Sequence, residues 1–145
     1  MQEDDMRKRV LPLLILLAIT PTAYAATGYR LVGHPRVPVS RLSKQAVSQI
    51  FMRRTVKWTD GTAIVAIDQS PQSPVRVRFT SSVFGKSVPA IVSYWRQQIF
   101  AGREVPPIEE SSEAEVLARL RRTAGAIGYV SEEAAVDGLR VIEVE

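Results

Sequence analysis

The order in which apolar periodicities change along this chain constrains its fold more than any other feature. Tyr29 to Val32 suits a strand, broken by Gly33-His34-Pro35 and then Pro38. Behind Ser43, a good N-cap, Val47, Ile50 and Phe51 share one helical face, with Leu42 and Val47 placed as a hydrophobic staple. Trp58 and the Asp60-Gly61 turn lead into Thr62 to Asp68, an Ile- and Val-rich run that reads as a buried strand.

Three helical stripes follow. Ser73-Pro74 is an N-cap followed by proline at the first helical position, and Val75, Phe79 and Val83 fall on one face before a stop at Gly85. Ser87 caps a helix carrying Val88, Ile91, Val92, Trp95 and Ile99 up to Gly102. Pro106-Pro107 forces an extended link. Ser112 and Glu115 have capping-box spacing ahead of Val116, Leu117 and Leu120. Gly125 to Val130 then reads as a glycine-flanked strand, and Asp137-Gly138 turns into a last strand, Leu139 to Val144. The expected fold is α/β, a small mixed sheet flanked by helices. Ile50, Phe51, Ile67, Phe79, Trp95, Leu117 and Ile127 are its expected core.

Upstream, Arg7-Lys8-Arg9, the apolar run Val10 to Ile19 and Ala23-Tyr24-Ala25 form the basic, apolar and small-x-small series of a secretory signal. The run is well short of the roughly 20 residues that span a bilayer, so residues 1–25 are expected to be cleaved. Residues 26–145 are expected to form one domain, periplasmic or secreted. The acidic Glu3-Asp4-Asp5 precedes the basic segment, which leaves Met1 and Met6 both as candidate starts. The chain has no cysteine, so an exported form draws its stability from its core and offers neither a thiolate nor a lipid attachment point.

Cleavage removes three basic and three acidic residues and preserves the net charge of +4. A mildly basic exported domain suits acidic partners or anionic solutes and makes nucleic acid an unexpected partner. His34 is the one histidine, so a histidine metal site and a histidine-assisted nucleophile both lack support, and neither an enzyme nor a cofactor is expected. The pairs Glu109-Glu110 and Glu132-Glu133 read as acids that precede or begin helices. Arg53, Arg54 and Lys57 form a basic surface cluster, and Arg76 and Arg78 alternate as a solvated face would.

The ordered series Leu42-Ser43 through Ile50-Phe51, Trp58 with Asp60-Gly61, the strand to Asp68, the Ser73 loop and Phe79 resembles the periplasmic phosphate-binding proteins of ABC importers. Tyr94-Trp95, Phe100-Ala101-Gly102, Pro106-Pro107 and Gly125-Ala126-Ile127-Gly128-Tyr129-Val130 continue it, and the likeness spans roughly residues 29 to 131. It implies one lobe of a type II periplasmic-binding-protein-like fold in a short, single-lobe form. It also implies a phosphate-like anion as ligand, and as partners the membrane components of an ABC transporter or another envelope protein. Because one lobe leaves half of a solute uncovered, a second copy of the chain is a further expected partner.

The expected ligand-binding residues are Asp68, Ser70, Gln72, Ser73, Val75 and Arg76, at a strand end and a helix N-terminus where backbone N–H groups favour anions. Three positions depart from the family pattern. Ser73-Pro74-Val75 stands for its Ser-Gly-Thr, Gln69 stands near its arginine, and Arg53 stands where it commonly has glycine. The alternative reading is a non-catalytic interaction or sensing module that keeps the fold without the ligand site.

Overall fold

The computed structural model describes residues 28–145, so the expected signal and its cleavage point lie outside the described residues. Six strands form one mixed sheet: β1 (Arg30–Gly33), β2 (Arg41–Leu42), β3 (Val65–Gln69), β4 (Ile108–Glu110), β5 (Ala126–Val130) and β6 (Arg140–Val144). Their spatial order is β2-β6-β1-β5-β3-β4. β1 lies antiparallel between β5 and β6, whereas β3 runs parallel to both β5 and β4. Four helices connect them: α1 (Lys44–Phe51), α2 (Pro74–Phe84), α3 (Val88–Phe100) and α4 (Glu113–Arg122).

The caps act as their sequence demands. The hydroxyls of Ser43, Ser73, Ser87 and Ser112 each accept from the backbone N–H three residues on, and Gly85 ends α2 in the left-handed region at φ 61°. Each supplies an acceptor to an otherwise unpaired first-turn donor. Strand alternation then divides the core. Leu31, Ala66, Ile127 and Tyr129 face α1 and α2, where they meet Val47, Ile50, Phe51 and Phe79. Val32, Ile67, Ala126 and Val130 face Val116 and Leu120 of α4. Burial on both faces explains why β5 reads as a continuous apolar run. Within the first layer Phe79 stacks on Tyr129 with centroids 3.9 Å apart, and Phe51 meets Phe79 edge-on at 4.8 Å.

The expected core holds except at Leu117, which is half-buried against the α4 layer. In α3, Val88, Ile91 and Trp95 are buried, but Ile99 is exposed because the helix outruns the face it packs on. Strands β2 and β4 were not expected. The proline pair before β4 is tolerated because β4 is an edge strand with only β3 beside it. The strand expected from Thr62 begins at Val65, since Thr62 and Ala63 still belong to the turn that Trp58 closes through its N–H to the Thr62 carbonyl at 2.8 Å. Glu132-Glu133 begins no helix. It follows β5 in a turn, where Glu132 accepts from the Gly28 N–H at 2.9 Å. Arg53, after α1, has φ 60° and is the one non-glycine residue with positive φ among the described residues. Its left-handed backbone is what the expected glycine would have supplied without steric cost.

Candidate functional site

The β3–α2 connection brings all six of the expected residues to the carboxyl end of β3 and the start of α2. Asp68 and Gln69 end the strand, Ser70 to Ser73 make the turn, and Val75 and Arg76 lie in the first helical turn. The turn is built from its own atoms. The Ser73 N–H donates to the Ser70 carbonyl at 2.9 Å, the Ser70 hydroxyl donates to the Gln72 side chain at 2.5 Å, and the Ser70 N–H donates to the Glu110 carbonyl of β4 at 3.1 Å.

Ser73 is committed twice. Its hydroxyl accepts from the Arg76 N–H at 3.3 Å and donates to Gln69 Oε1 at 2.6 Å. Gln69 is held in turn by donating Nε2–H to the Tyr129 carbonyl at 2.8 Å. Pro74 carries no N–H. That leaves the Val75 N–H as the helix-start donor with no partner among the described residues.

Arg76 corrects the sequence reading. It does not lie on a solvated face: its side chain is 4% exposed and reaches back under the turn. One terminal nitrogen donates to the Gln69 carbonyl at 2.5 Å and to Glu109 Oε2 at 3.0 Å, and the other pairs with Asp68 Oδ2 at 3.1 Å. Its Nε is buried without a partner. Arg78, by contrast, is exposed and donates to the Gly28 carbonyl at 3.0 Å.

The Tyr129 hydroxyl also donates to Asp68, and the Gln69 N–H donates to the same carboxylate at 2.8 Å. Burial pushes the Asp68 carboxyl above its ordinary value, against the opposing pulls of the Arg76 guanidinium, the Tyr129 hydroxyl and the Gln69 N–H. Tyr129 is pushed up as well, first by burial and then by the neighbouring Asp68 charge. The cluster therefore places one guanidinium between two carboxylates. Chemically it joins β3, β4, β5 and α2, and its balance of charge does not favour an added anion.

Gln69, Glu109 and Tyr129 belong to this constellation but were not expected as site residues. A tyrosine on an inward-facing strand position needs a partner for its hydroxyl, and that is the signal the sequence carried. Of the remaining titratable residues, His34 accepts from the Arg36 N–H at 3.1 Å in its loop. Arg54 and Lys57 are exposed, and Arg53 donates to the Ile64 carbonyl at 3.4 Å.

No protein-family model and no curated protein matches the chain. Solved structures do. A candidate phosphate ABC transporter substrate-binding protein from Clostridium perfringens, with bound phosphate, superposes with a TM-score of 0.64 at 18% identity, over 82% of this chain and 46% of that one. An ABC-type phosphate transport receptor from Vibrio cholerae gives 0.64 at 16%, over 81% and 46%. PstS from Borrelia burgdorferi gives 0.60 at 14%, over 81% and 47%. The fold is thus that of a lobe of these binding proteins, and the chain spans under half their length. Each is described as a binding or transport protein and none as an enzyme.

Proposed function

We propose that this chain is a non-catalytic binding module of the cell envelope, built on one lobe of the solute-binding fold, in which an internal ion-pair cluster occupies the place of an anion seat. The observation that carries this reading is the double commitment of Ser73. Its proton goes to Gln69 and its lone pair to the Arg76 N–H, so the hydroxyl has no donor left for a solute. Arg76, the cation nearest that loop, is itself between Asp68 and Glu109.

Export rests on the Arg7 to Ala25 series, and the membrane components of an ABC transporter, another envelope protein or a second copy of the chain are the proposed partners. Intact-mass analysis of protein from its native envelope should find a species beginning at Ala26. A dominant species that keeps residues 7–25 would count against export by cleavage.

Phosphate at about 10 mM is expected to raise the unfolding midpoint by less than about 1 °C, since a ligand stabilises only in proportion to its occupancy of the folded state. One feature favours the anion-binding reading instead: the Val75 N–H in the first turn of α2, which has no partner among the described residues. Ser73→Asp separates the two, because aspartate is also a good N-cap yet places a negative charge at the head of α2. Micromolar phosphate binding that Ser73→Asp abolishes without loss of folding would restore the anion site over Asp68, Ser70, Gln72, Ser73, Val75 and Arg76.

A further inference from the structure

We propose that the cleft where α1, α2 and α3 converge binds a small organic carboxylate with an apolar body. The cleft holds about 350 Å³, at the lower end of the roughly 300–1,000 Å³ of small-molecule sites. Its walls are Met52, Val83, Phe84, Ile91 and Tyr94, and its rim carries Arg54 and Lys86. It lies at the far end of α2 from the Ser73 turn, about 15 Å along an eleven-residue helix.

Three observations select the ligand class. First, the lining includes two cations and no acid. Neither Arg54 nor Lys86 forms an ion pair with any described residue. Second, those charges are not needed to finish the adjoining helices. The Met52 and Arg53 N–H groups already serve the Ser48 and Ile50 carbonyls, the Arg54 N–H serves Gln49, and the Gly85 N–H serves Ser81. Third, the Gln49 amide and the Tyr94 hydroxyl have no hydrogen-bond partner among the described residues, although both border the cleft. Two uncompensated cations and two spare polar groups above an apolar floor match a ligand with one charged end and one greasy end. An arylacetate would set its ring against the apolar wall to which Phe84 and Tyr94 contribute, a wall that bare phosphate would leave wet.

Sodium phenylacetate is the probe. Calorimetry on the whole protein should show saturable one-to-one binding, with acetate and benzyl alcohol each weaker by about tenfold for want of one end. Methyl resonances of Met52 and Ile91 should shift on titration. The double variant Arg54→Ala/Lys86→Ala should weaken phenylacetate by about tenfold while leaving the unfolding midpoint in place, because both side chains are exposed and unpaired.

Ala90→Glu gives the sharper arm. Ala90 borders the cleft and its N–H already bonds the Ser87 hydroxyl, so glutamate there completes a capping box and preserves α3 while placing a carboxylate against the ligand's own. Binding should be lost with folding intact. Absence of saturable phenylacetate binding, or wild-type affinity in Ala90→Glu, would overturn the proposal. So would capture of an acidic aromatic peptide with no response to phenylacetate, which would make the cleft a protein-docking site. Phosphate titrated in parallel reports on the head of α2 through the Val75 N–H, so the two readings fail separately.

Discussion

Gly125→Ala should leave the protein close to unfolded at 25 °C, at a cost of at least about 4 kcal/mol out of the roughly 5–15 kcal/mol typical of a domain. Gly125 sits at φ 78°, and a Cβ there would stand 2.1 Å from the Ala63 carbonyl oxygen and 3.2 Å from Thr62 Cγ2. The obstacle is backbone that cannot step aside cheaply. The Gly125 carbonyl accepts from Trp58 Nε1 at 3.0 Å and from the Val65 N–H at 3.2 Å, so moving either segment breaks the start of β3 from β5. Gly138→Ala is the matched control, with φ 75° and nothing within 4 Å of the added carbon. It should lose only the conformational preference, about 1 kcal/mol. Urea midpoints at constant m-value measure both, and equal losses would show that the Thr62–Ala63 turn does not press on Gly125.

Arg76→Met should cost about 3–5 kcal/mol at pH 7, the usual penalty for stripping one partner from a buried pair. Asp68 is then left with the Tyr129 hydroxyl and the Gln69 N–H and no cation, while Glu109, half-exposed, returns to water. The pH dependence has a definite sign. The folded-state value of Asp68 is raised above 3.8, so between the two values the native state holds a proton that the unfolded state has released. Its contribution to stability is therefore greatest in acid and falls as pH rises through the folded value. Removing Arg76 takes away the largest downward pull and carries that window higher. The variant should accordingly lose less at pH 4 than at pH 7, and Asp68→Asn in the same background should recover much of the difference. A loss equal at both pH values would mean that the Asp68 charge is solvated.

Such groups mark the limit of what the sequence discloses. All four helices were legible because serine caps, proline after Ser73 and Ser87 or close to it, and three-and-four spacing are local signals. The lobe itself was legible because those signals came in a known order. What escaped was non-local. Ile108-Glu109-Glu110 becomes a strand only because β3 lies beside it, and that register sets Glu109 opposite Asp68. Without it, nothing near Arg76 in the chain announces two carboxylates, and arginines two apart on a helix look solvated. Tyr129 packs against Phe79, while its hydroxyl serves Asp68 across the strands. The site differs from expectation for the same reason: its residues were found, but Arg76 and Asp68 are saturated in part by Glu109 and Tyr129, 33 and 61 positions away.

The position of β1 governs when this molecule can become itself. Residues 30–33 take their partners from residues 127–130 and 140–142, far along the chain. The opening strand of the sheet must therefore wait, unpaired, until residues 127–142 are available, and closing loops of that length is slow compared with forming any of the helices. Before then a growing chain would hold helices with no more of the sheet than the β3–β4 pair to dock on. If the first 25 residues direct export, the delay has a use, because a chain unable to close its sheet before residues 127–142 emerge stays threadable until then.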